Sequence, residues 1–147
     1  RGHEPLRIQQ DRAEITEKQK MPLMTQQQAR QLSALQLAFM GDTVCDLLTR
    51  SELMFTTLPV KQMHQSATQI VNARAQAAQL QAVRHLLTQE ELDIVQRARN
   101  AHIGHHAPQS ATPEEYLTAT GFEALMGYLF LTGQMNRAQM LFRLGRV

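Results

Sequence analysis

The chain has 147 residues, which is enough for one domain with a hydrophobic core and too few for two ordinary domains. Aromatic residues make up only 5% of it and Trp is absent, which disfavours a β-sandwich and single-strand binding by aromatic stacking. One cysteine excludes an internal disulfide and a cysteine-based zinc site, and a formal net charge of +2 does not by itself indicate nucleic-acid binding.

The first 22 residues are polar and mixed in charge, so we expect an N-terminal tail at 1–22 and one compact domain at 23–147. The tail lacks the apolar core of a secretory signal. No apolar run approaches the roughly 18 residues that a membrane span requires. The expected location is therefore the cytoplasm, or alternatively an organelle of bacterial descent.

The domain is expected to be helical from its start. A capping box opens at Thr25, and apolar residues then recur with helical spacing as far as Leu48, which predicts one helix there. A break ends in Pro59, a residue suited to the first position of a helix. One or two helices follow between 60 and 87, with a step near Asn72.

Two further capping boxes mark later helices. Thr88 opens a helix that ends before a predicted loop at 100–111. Thr112 is followed by proline and glutamate and opens a helix that should run to Leu131. A short last helix covers about 136–144. No alternating strand pattern competes with these helices, so the fold class is all-α.

Two acidic residues, Asp42 and Glu123, lie among apolar and small residues, which predicts that both are buried. A buried carboxylate needs a compensating cation or hydrogen bonds, so a pair suggests one shared ion. Small residues on both segments would let the two helices approach closely and bring the carboxylates together; these are Ala38, Gly41, Gly121, Ala124 and Gly127. Mg²⁺ needs only one or two protein carboxylates. Alternatively, each residue could be structural, with a bend at Gly41 and Glu123 pointing to solvent.

Several motifs carry a resemblance to a known family. Residues 39–44, FMGDTV, resemble the ribonuclease III signature, and residues 122–129, FEALMGYL, resemble the second motif of that family. Residues 71–77, VNARAQA, and 97–101, RARNA, are similar to motifs of Mini-ribonuclease III, the short form that consists of the catalytic domain alone. The motifs occur in the family's order over most of the compact domain.

The resemblance implies a ribonuclease III endonuclease-domain-like helical bundle that forms a homodimer and cuts double-stranded RNA with Mg²⁺, or Mn²⁺ as an alternative. By position, Asp42 and Glu123 become the catalytic residues and the metal ligands. The expected substrate is precursor 23S ribosomal RNA, trimmed during large-subunit biogenesis. A large-subunit ribosomal protein is a further candidate partner, and no membrane is involved.

Two positions depart from full-length ribonuclease III, where both are acidic: here they are Ala38 and Thr120. The short form shares these losses, which leave one or two metals per site as open alternatives. Asp46 could bind a metal-bound water or orient a basic neighbour, or it could be an ordinary exposed residue; Thr120 is a further candidate to contact the metal ligands. The missing acids also motivate a rival function, a non-catalytic ribonuclease-III-like module that binds RNA or the ribosome. A weaker rival is a metal-dependent hydrolase of small phosphate compounds.

Two long segments contain no acidic residue, one between Glu52 and Glu90 and the other between Asp93 and Glu114. They could form a mildly basic surface or ordinary solvated faces. Duplex RNA is recognised mainly by shape and by phosphate and 2′-hydroxyl contacts. The candidate RNA-binding residues are Lys61, Arg74, Arg97, Arg99 and Asn100. Arg97 and Arg99 lie close to the loop at 100–111, which we place at the RNA cleft. The histidines of that loop (His102, His105 and His106) could contact RNA, bind zinc, or simply be exposed.

Overall fold

The computed structural model describes residues 21, 23–102 and 106–147, so the predicted tail lies outside the described residues apart from Met21. The described residues contain α-helices and no strand, which confirms the all-α fold class. In chain order the helices are α1 (Gln26–Gln31), α2 (Ala34–Leu53), α3 (Val60–Ile70), α4 (Ala73–Val83), α5 (Gln89–Ala101), α6 (Pro113–Leu131) and α7 (Met135–Leu144), with one 3-10 turn at Arg84–Leu86 after α4.

Local side-chain caps explain most helix starts. Thr25, Thr88 and Thr112 each form the predicted capping box, and Asn72 caps α4 at the expected step between two helices. The single helix predicted from Thr25 to Leu48 is wrong. The chain turns extended at Leu32 and Ser33, and Ser33 opens a second capping box with Gln36.

Helix α6 is the centre of the domain. It packs against α2, α4 and α5, and its side chains are apolar on all sides, which is typical of a helix surrounded by others. It ends at Leu131, and Gly133 adopts a left-handed φ of 76° that suits glycine after a helix. No helix in the described part of the chain is long and apolar enough to cross a membrane.

The crossing of α2 and α6 depends on two glycines. A Cβ atom added at Gly41 would lie 1.6 Å from the carbonyl oxygen of Glu123. A Cβ atom added at Gly127 would lie 2.0 Å from the carbonyl oxygen of Leu37. Any side chain at either glycine would overlap backbone atoms of the other helix. The close approach predicted from the small residues is therefore confirmed, and it positions Asp42 next to Glu123.

The periphery is held by polar contacts. Glu91 is buried on α5, and the Arg137 guanidinium of α7 donates to both of its carboxylate oxygens at 2.6 and 2.7 Å. This paired geometry compensates the buried charge. In contrast, α3 has no buried residue and lies exposed beside the end of α2.

Candidate active site

The helix crossing brings Asp42 and Glu123 into direct interaction. Asp42 lies on α2 immediately after Gly41, whose Cα abuts the Glu123 backbone, and the two carboxyl groups are close enough to interact. Glu123 is partly buried, as the sequence predicts, but Asp42 is exposed, so the expectation that both are buried is wrong for Asp42. The site is thus an acidic pair at the rim of the crossing, open to solvent on the Asp42 side.

Glu123 is the electrostatically strained member of this pair. The pKa of Glu123 is raised to about 8. Burial is the largest cause, followed by the charge and hydrogen bonding of Asp42 and then by the charge of Asp46. Each cause penalises the ionised form of Glu123. A cation placed between the carboxylates would remove this penalty, because it would replace repulsion with attraction.

The raised pKa of Glu123 predicts how metal-free stability depends on pH. The unfolded chain releases this proton near the ordinary value of 4.5 and the folded chain near 8, so stability is lost as pH rises from 4.5 to 8. We expect Glu123→Gln to raise the melting temperature in EDTA, with a gain that grows across this window. Thermal unfolding at pH 5 and pH 8.5 measures it, with Asp93→Asn as the control on an exposed acid. An equal gain at both pH values would contradict the prediction.

Two neighbours on α2 extend the acidic environment. Burial and the charge of Asp42 raise the pKa of Asp46, and the nearby Arg50 opposes the rise. Cys45 is fully buried, and burial together with the charge of Glu123 raises the pKa of its thiol. Cys45 is therefore a packing residue kept as the neutral thiol, whereas Asp46 adds negative charge beside the pair.

Thr120 lies one turn before Glu123 on α6 and belongs to a buried polar contact. Its hydroxyl donates to the Tyr116 carbonyl at 2.9 Å. The Nδ1 atom of His102 lies 2.8 Å from the same hydroxyl oxygen, and the His102 ring stacks on Tyr116. Because the hydroxyl proton is already used, the oxygen accepts from Nδ1–H. Thr120 therefore fixes the ring of His102 beside the site, a contact that the sequence did not predict.

The predicted RNA-binding residues lie in different environments. The Arg74 side chain is 81% exposed, with Nε 3.7 Å from a Glu115 oxygen. Arg99 is largely enclosed and donates to Thr118 and to Glu114. Arg74 can therefore reach an external phosphate more easily than Arg99.

The other three candidates are exposed. Arg97 donates to the Leu32 carbonyl at 3.0 Å, and Asn100 accepts from Gln96 at 2.9 Å. Lys61 lies on α3. Arg97 and Asn100 keep exposed surface near the end of α5, where the predicted loop begins; residues 103–105 of that loop, including His105, lie outside the described residues.

The residues present suit a hard divalent cation. The acidic pair offers only carboxylate oxygens, the donors that Mg²⁺ prefers, and Mg²⁺ binds through one or two carboxylates with water completing its shell. Within the described ranges there is no group of three or more histidine, cysteine, aspartate or glutamate residues that could hold a metal. The described part therefore offers a pair of carboxylates rather than a cage of three or more ligands, and such a pair fits Mg²⁺.

Gln76 is a candidate functional residue that the sequence did not predict. Gln76 of α4 is 4% exposed, and its Nε2 atom has no hydrogen-bond partner among the described residues. Its amide interacts with the Cys45 thiol, behind the acidic pair. A glutamine in an apolar helix gives no pattern that distinguishes a buried side chain from an exposed one, so only the packing of α4 on α6 reveals it.

Comparisons with known proteins place this chain in a family. Residues 35–134 match the Ribonuclease III domain family. The chain is 46% identical over 107 residues to a protein named Mini-ribonuclease 3 from Symbiobacterium thermophilum, covering 72% of this chain and 82% of that protein. A protein of the same name from Thermoanaerobacter sp. is 38% identical over 83% of this chain and 86% of its own length. A crystal structure of a Fusobacterium nucleatum protein superposes with a TM-score of 0.72 at 28% identity, covering 78% of this chain and 91% of that one.

Proposed function

This chain belongs to the ribonuclease III family and is an endoribonuclease, and from that premise we propose that it cleaves double-stranded RNA with Mg²⁺ held by Asp42 and Glu123. Mn²⁺ is the expected substitute, because it accepts the same oxygen ligands. The observation that carries the proposal is the repulsive carboxyl pair at the helix crossing, with the pKa of Glu123 raised to about 8. A divalent cation bound between the two carboxylates would offset that repulsion.

The residues around the proposed metal site have different roles. When bound, Mg²⁺ supplies positive charge that polarises the scissile phosphate and favours deprotonation of the attacking water. Glu123 is held by the core helix α6, so one side of the ligand set is rigid. Asp42 is exposed and faces the solvent from which the RNA arrives. Asp46 adds charge that favours a cation, and Thr120 orients its neighbour His102 from behind.

The basic residues support binding of an RNA backbone. Arg74 lies on the first turn of α4, two residues before Gln76, and its guanidinium is mostly in solvent. Arg97 and Asn100 offer exposed groups at the end of α5, and Lys61 offers one on α3. Contacts of this kind read shape and phosphate rather than base sequence. They fit a duplex substrate that is recognised without base-specific pockets.

Arg74 allows a direct test of the phosphate contact. We expect Arg74→Ala to weaken duplex binding in EDTA, where metal-dependent cleavage cannot proceed, and to lower the slope of log affinity against log salt by about 0.9 for one lost phosphate contact. Arg84→Ala is the matched control, because Arg84 is also exposed but follows the opposite end of α4. Fluorescence anisotropy at several salt concentrations measures both variants. An unchanged slope for Arg74→Ala would show that Arg74 does not contact phosphate.

A homodimer is supported by apolar side chains left exposed along α2 and into α3. Phe39 is 83% exposed and Phe55 is 93% exposed. Exposed apolar surface of this kind marks interaction sites, and two copies would present two acidic pairs, one for each RNA strand. Sedimentation equilibrium tests the dimer.

For the substrate we propose precursor 23S ribosomal RNA, with a large-subunit ribosomal protein as a further partner, in line with the resemblance to Mini-ribonuclease III.

The proposed reaction is tested with labelled RNA of matched sequence. We compare a duplex, the corresponding single strand and a DNA duplex, each with Mg²⁺, with Mn²⁺ and with EDTA. The proposal is supported if the RNA duplex is cleaved, the single strand and the DNA duplex are not, and cleavage requires a divalent ion. Duplex binding without cleavage in any divalent ion would contradict it and would favour the non-catalytic module. Competition by nucleotides instead of duplex RNA would favour a hydrolase of small phosphates.

A further inference from the structure

Gln76 is a buried amide that contacts the Cys45 thiol, a weak acceptor, and donates to no oxygen or nitrogen atom among the described residues. The residue is 4% exposed, and its Nε2 atom has no hydrogen-bond partner among the described residues. An unpaired buried donor destabilises the folded state and is uncommon in native structures. Its retention inside an apolar interface therefore calls for a role that its fixed neighbours do not explain.

The surroundings of Gln76 point to a single acceptor. The Gln76 amide and the Glu123 carboxyl group both interact with the buried Cys45 thiol, which lies one turn after Asp42 on α2. Among the acidic groups that influence this thiol, Glu123 has the largest effect. Helix α4, which carries Gln76, also packs directly against α6, which carries Glu123.

We propose that Gln76 is a positioning residue of the metal site, whose Nε2 donates a hydrogen bond to one carboxylate oxygen of Glu123 and orients the other oxygen toward the bound cation. This inference rests on the proposed function, since it requires Asp42 and Glu123 to bind a divalent ion. Groups that hydrogen-bond to a metal ligand commonly change metal affinity by about 10-fold to 100-fold.

Gln79 supplies a matched control on the same helix. It is also buried, at 2% exposure, but its Nε2 donates to the Phe142 carbonyl at 3.1 Å and its neighbours belong to the end of α7. Gln79 therefore has a structural role away from the acidic pair. Replacing either glutamine with methionine preserves length and flexibility and removes only the amide.

The test is calorimetric titration of Mn²⁺ into RNA-free protein, with thermal unfolding measured in parallel. We expect Gln76→Met to weaken Mn²⁺ binding by about 10-fold and to leave the melting temperature equal or higher. We expect Gln79→Met to keep wild-type affinity and to melt at a lower temperature, because it loses the bond to Phe142. Wild-type affinity in Gln76→Met would overturn the inference.

A second measurement keeps the inference testable if Gln76→Met fails to fold. In the wild-type protein, the side-chain amide resonances of Gln76 should shift on addition of Mg²⁺, whereas those of Gln79 should not. A Gln76 signal that stays fixed while Mg²⁺ binds would overturn the inference and leave the proposed function intact. Wild-type protein that binds Mn²⁺ no better than Asp42→Asn would instead overturn the proposed metal site and the inference together.

Discussion

Asp42→Asn is expected to lower the rate of duplex cleavage by about 1,000-fold, because a metal ion supplies several kcal/mol of transition-state stabilisation and each 1.4 kcal/mol is tenfold in rate. Asn keeps the size of the side chain and removes its charge. Asp42 is exposed and its charge penalises ionised Glu123, so the substitution should not lower the melting temperature of the metal-free protein. Single-turnover cleavage of a labelled RNA duplex in saturating Mg²⁺ measures the loss.

Asp93→Asn is the control for this variant. Asp93 is an exposed acid on α5 whose carboxylate accepts a hydrogen bond from Gln89, away from the helix crossing. It should cleave at the wild-type rate. In EDTA, the duplex affinity of Asp42→Asn should be equal to or higher than that of the wild type, since a negative charge facing the phosphates has been removed. Cleavage by Asp42→Asn at the wild-type rate would refute the assignment of Asp42 as a catalytic residue.

Gly41→Ala is expected to cost about 3 kcal/mol of folding free energy, at the upper end of the usual cost of overpacking. The added Cβ would lie 1.6 Å from the Glu123 carbonyl oxygen, which is backbone and cannot rotate aside. Helices α2 and α6 must separate to relieve the overlap. The melting temperature should fall by roughly 10 °C, and urea unfolding measures the free energy directly.

The same variant links packing to chemistry. Separation of α2 from α6 moves Glu123 away from Asp42, so the residual folded protein should also cleave duplex RNA poorly. Gly133→Asn is the control, because its left-handed φ of 76° tolerates asparagine and an added Cβ would make an ordinary 3.5 Å contact with Leu23. It should cost less than about 1 kcal/mol. Equal stability of Gly41→Ala and wild type would show that the crossing is not close-packed.

Helix starts could be predicted from the sequence where the capping residues lie within one turn of each other. Thr88 with Glu91, and Thr112 with Glu115, satisfy free backbone donors within one turn, so each start can be identified without knowing the fold. The break at Leu32 and Ser33 was missed because helical spacing of apolar residues continues across it. The residues after a break can present the same face to the core, and periodicity does not register the interruption.

The sequence by itself determined the all-α class, the order of the helices and the small residues that permit a close crossing. Tertiary structure alone decided which groups are buried. Asp42 is exposed and Glu123 is partly buried, although both lie in similarly apolar stretches of sequence. The difference arises because burial depends on which helix packs over each position. The raised pKa of Glu123 and the unused donor of Gln76 have the same origin. Desolvation and repulsion act over a few ångströms in space, between residues that are far apart along the chain.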